Sequence, residues 1–512
     1  MRSRRTAFVV LQSFASGLPL GLVWYAIPDW MRDIGVDIRV VGLLTVSQAP
    51  WTFKVLWSPL MDRYVPPFWG RRRGWMAVTQ VALFALGLML AGVGGRPESV
   101  WVVGALALAM ALASASQDIA IDAYAVEVLH TDEQGAAAGA RTALYRAALL
   151  VSGGLSITLA ARIGWPAVNA LLACLYLPML LVTWRSPEPE APPAPPPTLR
   201  EAVWQPFLSF LTRPRALEIL AFVVFYKFAD QLAQALTRPF LIDMGYSADQ
   251  RGLALATIGV VATIGGAFIG GWVTTLAGLG HALWIFGLLQ LVSNIGYYGL
   301  SILDAPHLPA MYSATGFELL TSGMGTGAFA VLLLRLTEKR FSATQYALFS
   351  SLFALPRVLA GPITGFAVDA FGWPRFFLAT MVVGIPGLVM LGRFVPFGVR
   401  EPDLDTKAVP VVSVRASALL APALAAGLVL AVGALLVLAV LDALQAMHGA
   451  PAAGFDVGAA LWRVARPADA GGWIQLAGAA AFGVVGGVFL AAARARRRDR
   501  ADTTTRPRRP HV

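Results

Sequence analysis

The sequence predicts an all-α polytopic membrane protein, and three observations carry that prediction. The chain of 512 residues is 57% hydrophobic and only 13% charged, against about 25% charge in soluble domains. Apolar runs of about 20 residues, enough to cross roughly 30 Å of hydrocarbon, recur from end to end. A proline-dense stretch, residues 186–197, separates six such runs from six more, and an Ala/Leu/Val-rich pair follows. The expected architecture is two six-helix bundles plus two extra C-terminal transmembrane helices, 14 in total.

Taken in order, the first six spans are expected at 6–28, 40–61, 75–94, 100–128, 137–161 and 165–184. Met1 to Arg5 followed by an apolar run resembles the start of a cleavable leader, but the run continues through Gly17-Leu-Pro19 to Pro28 with no small-residue cleavage site. It reads as a retained first span. The next six are expected at 216–240, 252–276, 282–303, 308–336, 344–368 and 375–396, and the final pair at 416–441 and 472–493. The organisation is then an N-terminal bundle (1–184), a Pro-rich cytoplasmic linker (185–215), a C-terminal bundle (216–396), a connector (397–415), two further helices (416–493) and a basic tail (494–512). Proline lacks the amide donor and clashes with the preceding turn, so residues 186–197 are expected to be a stiff extended tether.

The net charge of +11 is better read as topology than as nucleic-acid binding, because the basic residues lie in short clusters between spans. With the N-terminus inside, 27 Lys and Arg fall on the cytoplasmic side and nine on the other. That excess places both termini in the cytoplasm. The basic tail then serves as a topological lock and lipid-headgroup anchor. A single cysteine, Cys174, excludes a disulfide framework and a cysteine-built metal site.

Four bases, Lys54, Arg146, Lys227 and Arg357, fall within spans. So do Asp118, Asp122, Asp230 and Glu318. Charged groups in hydrocarbon cost roughly 2.5 kcal/mol or more on insertion scales and normally face a bundle interior or watery cavity. Asp118 and Asp122, four residues apart, share one helical face, bordered by Gln117 and Tyr124. Acids and bases occur at matching depths on different spans, so packing is expected to neutralise them around a hydrated cavity. Two roles compete for each. Lys54, Arg146, Lys227 and Arg357 suit anionic groups of a solute, and Asp118, Asp122, Asp230 or Glu318 suits a proton. The other role is cross-helix pairing that fixes packing or latches a gate. Tyr25, Trp51 and Tyr145 lie near these charges and offer apolar faces for sugar rings, or else belong to the core and interfacial belt.

Asp62-Arg63 ends the second span, and Gly70-Arg-Arg-Arg73-Gly opens the third. An acid at a helix end followed by a basic run resembles the loop motif of the major facilitator superfamily, with extra residues inserted. A carboxylate at Asp62 can cap a facing helix N-terminus and pair with a base, which makes Asp62, Arg63 and Arg71 gating candidates.

A closer resemblance rests on Phe14-Ala-Ser-Gly-Leu-Pro19, on residues 51–63, on Gly70-Arg-Arg-Arg-Gly-Trp75 and on Ser116-Gln-Asp-Ile-Ala-Ile-Asp-Ala-Tyr124. It continues in Phe317-Glu-Leu-Leu-Thr-Ser-Gly-Met-Gly-Thr326, in Phe341-Ser-Ala-Thr-Gln-Tyr-Ala-Leu348 and from Gly361-Pro to Gly372-Trp373. These motifs resemble the AmpG-type muropeptide permeases of the major facilitator superfamily. The resemblance implies two bundles rocking about a midplane site, and proton-driven import of anhydro-muropeptides across the bacterial inner membrane for wall recycling. It makes Lys54, Gln117, Asp118, Asp122, Glu318 and Gln345 candidate site or gating residues. The implied partners are the muropeptide, protons and membrane lipids, with no nucleic acid and no cofactor beyond the gradient, and the protein is expected to act as a monomer. Related carriers move acetyl-coenzyme A, which stands as the alternative cargo. A membrane enzyme would want a polar catalytic loop, and no phosphate-cradling loop or metal-ligating His pair occurs. A non-transporting scaffold would not need midplane acids and bases.

Overall fold

The computed structural model describes residues 3–37, 41, 44–93, 99–190, 192–211, 213, 215–402, 404, 417–449, 455–468 and 470–505. The expected connector 397–415 and tail 494–512 therefore fall largely outside the described residues. Among those described there are helices and no strands, and ten stretches are long and apolar enough to cross a membrane. In the first half the elements are α1 (Arg4–Asp33), α2 (in pieces, Ala49–Phe53, Lys54–Leu56 and Ser58–Arg63), α3 (Arg71–Gly92), α4 (Val100–Val128), α5 (Gln134–Ile163) and α6 (Trp165–Arg185). A linker helix, α7 (Leu199–Leu211), leads to α8, itself in pieces (Ala216–Phe225, Phe228–Ala235, Thr237–Asp243). Then come α9 (Ala248–Ala277), α10 (Leu279–Ser301) and α11 (Leu308–Leu336). The run Ser342–Phe394 bends at Gly372, whose φ of +73° ends α12 (342–371) and begins α13 (373–394). The chain closes with α14 (Ser417–Gly449), α15 (Val457–Ala465) and α16 (Ala470–Thr505).

Three departures from the sequence reading have local causes. The first helix is longer than 6–28 and carries a π-helical segment, Leu22–Ala26, between Pro19 and Pro28, whose missing amides loosen the turn. The second and seventh spans are broken, each at a lysine, and the seventh a second time at Leu236. Lys54 sits in a short 3₁₀ turn, and Lys227 has φ −103° and ψ 0°, off the helical region. The linker is not extended throughout. The described residues of 186–197 form no helix, but the Thr198 hydroxyl accepts from the Glu201 amide at 3.1 Å and α7 starts there.

One large apolar core joins both halves at the end of the bundle that carries the linker, with Ile121, Phe210, Phe222, Phe329 and Phe349 among its members. Two further cores belong to one half each, the first around Trp30 and Trp165, the second around Phe240 and Phe377. At the linker end α5 and α9 approach backbone to backbone. A Cβ on Gly139 would sit 2.5 Å from the Ala267 carbonyl, and one on Gly135 would sit 2.8 Å from that of Gly271. Gly139→Val is therefore expected to cost about 1–3 kcal/mol through overpacking and to lower the yield of folded protein in size-exclusion chromatography. Gly154→Ala, where nothing lies within 4 Å, is the matched control and should change nothing.

Candidate functional site

The residues that join the halves are built around the N-terminus of α12. Its first amides lack intrahelical partners and carry the positive end of the helix dipole. Asp62, at the end of α2, fills that role from the other half. Its carboxylate accepts from the amides of Ala343 (3.2 Å) and Thr344 (2.9 Å) and from the Thr344 hydroxyl (2.7 Å). Arg72 donates to Asp62 at 2.6 Å, to Glu127 at 2.8 Å and to Ser342 Oγ at 2.7 Å. Arg71 reaches Glu127 at 2.9 Å. Two acids and two bases thus close a buried, charge-balanced cluster. On the opposite flank Arg335 of α11 donates to Gln134 at 3.2 Å and to the Thr131 carbonyl at 3.4 Å, and pairs with Glu401.

Sequence reasoning had Asp62 and Arg71 in this gate but missed Arg72, Glu127 and Ser342, and it placed Arg63 there. Arg63 instead lies over the Tyr64 ring, 5.7 Å from its centroid, because the helix ends at Arg63 and the side chain turns outward. Three consecutive arginines span about 200° of a helix, so only one of them points straight at the core, and that one is Arg72.

Inside the first half, Asp122 pairs with Arg141 at 2.6 Å and with Lys54 at 3.6 Å. Arg141 also donates to Ser13 at 3.1 Å, and Asp118, one turn back on α4, accepts from Ser16 of α1. Gln117 is fully buried, and both its amide atoms lack a partner. A separate ring of hydrogen bonds, Gln12 to Thr183 (2.7 Å), Thr183 to Gln80 (2.7 Å) and Gln80 to Gln12 (2.9 Å), ties α1, α3 and α6.

In the second half the polar groups gather on α8, α10 and α11. Lys227 Nζ donates to Asp230 at 2.8 Å, to Gln290 at 2.7 Å and to the Ser322 carbonyl at 3.2 Å. Gln234 donates both to Asp230 (3.1 Å) and to Glu318 (3.2 Å), and Ser293 meets the other oxygen of Glu318.

The remaining candidates divide. Trp51 is half-buried, edge-on to Trp24 at 6.2 Å, and Tyr25 is 54% exposed. Tyr145 is half-buried where α5 passes Gly17 of α1. Arg146, expected to be buried, is exposed, and no acid pairs with it among the described residues. It follows Tyr145 by one position, and the next residue in its row is the exposed Leu150, so it lies away from the face that α5 presents to α1. Gln345 faces the linker. It donates to the Pro206 carbonyl at 3.0 Å and to Ser209 at 3.1 Å, and its own carbonyl caps Glu338 at 2.8 Å, so it fastens α7 to α12. Lys227 pairs within its own helix rather than across helices. The side chain of Arg357 lies outside the described residues.

The chain belongs to the Major Facilitator Superfamily, a family of membrane transporters, whose model matches residues 9–361. Within that family it is similar to the anhydromuropeptide permease of Escherichia coli, 44% identical over 393 residues, covering 76% of this chain and 79% of that protein. A protein of Haemophilus influenzae described as uncharacterized is 33% identical over 401 residues, 76% of this chain and 94% of its own. Two solved structures share the fold at 13% identity and a TM-score of 0.59. They are the proton:xylose symporter XylE, covering 79% of this chain and 98% of its own, and FucP in the outward conformation, covering 75% and 97%.

Proposed function

We propose that this transporter imports anhydro-muropeptides from periplasm to cytoplasm for cell-wall recycling, by alternating access and at the expense of the proton gradient. The observation that carries the reading is the 44% identity, over most of both chains, to an anhydromuropeptide permease. The geometry agrees with such a cargo. Lys54 and Arg141 suit its carboxylates, and Trp24 and Trp51 offer faces for its sugar rings. Asp118, Asp122, Asp230 and Glu318 are the acids available to carry a proton. The protein resides in the bacterial inner membrane as a monomer in contact with lipid, with both termini cytoplasmic, and it needs no cofactor. Its helices are arranged as six, six and two, the broken α2 and α8 counting as spans. Under this orientation the linker end is the cytoplasmic end, and the Asp62–Arg72 cluster is the cytoplasmic gate.

The test is uptake into proteoliposomes with an inward proton gradient. Labelled disaccharide-peptide is expected to accumulate unchanged, and excess unlabelled disaccharide-peptide should compete far better than acetyl-coenzyme A. Preferential competition by acetyl-coenzyme A would assign the carrier to that cargo instead.

A further inference from the structure

The two buried clusters differ in their charge. In the first half Asp118 and Asp122 stand with Lys54 and Arg141, two acids with two bases. In the second, Asp230 and Glu318 have one base between them among the described side chains, Lys227, and all three are at most 2% exposed. Two ionised carboxylates beside a single ammonium would bury an uncompensated charge, which costs several kcal/mol, and groups so placed neutralise instead.

The hydrogen bonds favour Asp230 as the ionised acid and leave Glu318 able to hold a proton. Lys227 Nζ points at Asp230 Oδ2, and Ser322 Oγ donates to the same oxygen at 3.0 Å, so Asp230 is the ionised partner. At Glu318, Ser293 Oγ lies against one carboxyl oxygen and also 2.9 Å from the Gln290 carbonyl, which can only accept. A hydroxyl has one hydrogen. If Ser293 gives it to the carbonyl, the hydrogen between Ser293 and Glu318 must come from Glu318. Gln234 spends its amide donors on both acids and so bridges them. Beside Ser293, Asn294 is fully buried with neither amide atom partnered, and it lies one turn from Gln290 on α10. Among the described residues, the other titratable groups that face the pair are Tyr226 of α8, beside Asp230, and Tyr297 of α10, beside Glu318.

We propose that Glu318, bridged to Asp230 by Gln234, binds the one proton exchanged in each transport cycle, with Lys227 as the fixed counter-ion of Asp230. The inference rests on the reading of the chain as a proton-coupled carrier and names the coupling site within it. The carboxyl takes a proton from the far side and releases it at the linker side, and no other bond forms or breaks. On release, one ammonium must serve two carboxylates, which draws Lys227, at the break in α8, towards α11.

The experiment compares downhill exchange, which needs no net proton movement, with uphill accumulation at clamped zero membrane potential. One proton per cycle turns a tenfold proton gradient into about tenfold accumulation of cargo, and two give about a hundredfold. Glu318→Gln and Asp230→Asn each leave one acid with one base. Both are expected to exchange labelled muropeptide within about twofold of wild type yet to accumulate none, while wild type reaches about tenfold. Tenfold accumulation by Glu318→Gln overturns the proposal, as does loss of exchange in both variants, which would make the cluster a packing element. Restoration of accumulation in Glu318→Gln by Arg357→Gln would reveal an ion pair there and also overturn it. Wild-type accumulation that requires sodium rather than a proton gradient, and loses that requirement in Glu318→Gln, would make this a sodium site and have the same consequence. Wild-type protein that does not exchange muropeptide counts against the cargo, a separate failure.

Discussion

Replacing Asp62 by alanine is expected to convert a protein that rests with its linker end shut into one that rests with that end open. Asp62 takes two amides and a hydroxyl from the start of α12 and one guanidinium hydrogen from Arg72. Without it, Arg71 and Arg72 share Glu127 alone, and the surplus positive charge faces the positive end of a helix. Removing one partner from a buried ionic cluster costs about 3–5 kcal/mol. The loss falls almost wholly on the shut conformer, since the opened cluster is solvated, so the equilibrium should move by roughly two to four orders of magnitude. Spin labels at Tyr64 and Lys339, both exposed, in a Cys174→Ser background would read this as a longer inter-label distance. Uptake should fall, because the return to the shut state becomes the costly step. An unchanged distance distribution would show that the cluster is not what holds the halves together.

Lys54→Met is expected to abolish uptake, and its partial rescue separates two roles. Loss of the ammonium leaves Asp118 and Asp122 with Arg141 alone, and the amount of protein in the membrane should drop. Adding Asp122→Asn restores charge balance and should restore that amount. If Lys54 also grips the cargo, uptake by the double variant stays down by roughly ten- to a hundredfold, the worth of a charged hydrogen bond of about 1.5–3 kcal/mol. Full recovery of uptake in the double variant would leave Lys54 with ion pairing alone.

The helical class and the candidate residues were legible because hydrocarbon tolerates few charges, so each one in an apolar run is a signal. What composition could not supply is helical phase at a break. The pieces of α2 and α8 turn relative to one another, so the inward face cannot be extrapolated across Lys54 or Lys227. Arg146 illustrates the opposite limit, since depth along a helix says nothing about direction around it. Two signals were present and went unread. Thr198-Leu-Arg-Glu201 is a helix-start pattern. Gly164-Trp-Pro and Gly372-Trp-Pro mark the same corner in each half, with φ of +81° and +73° at the glycines, the trace of an internal repeat.

The contacts described between the halves are unevenly distributed: the acid-capped helix, the Arg335 links and the α5–α9 glycine seam all lie towards one mouth. Gly139 is close to the start of α5, and about 36 Å of helix separates it from Ile163. A tilt of about 10° at the seam would sweep the distant tip by about 6 Å, so parting the far mouth disturbs none of these ties. In this conformation the ties described here brace the molecule at its linker end. Admitting a guest costs it little, and swinging round to discharge it means breaking every one of these ties.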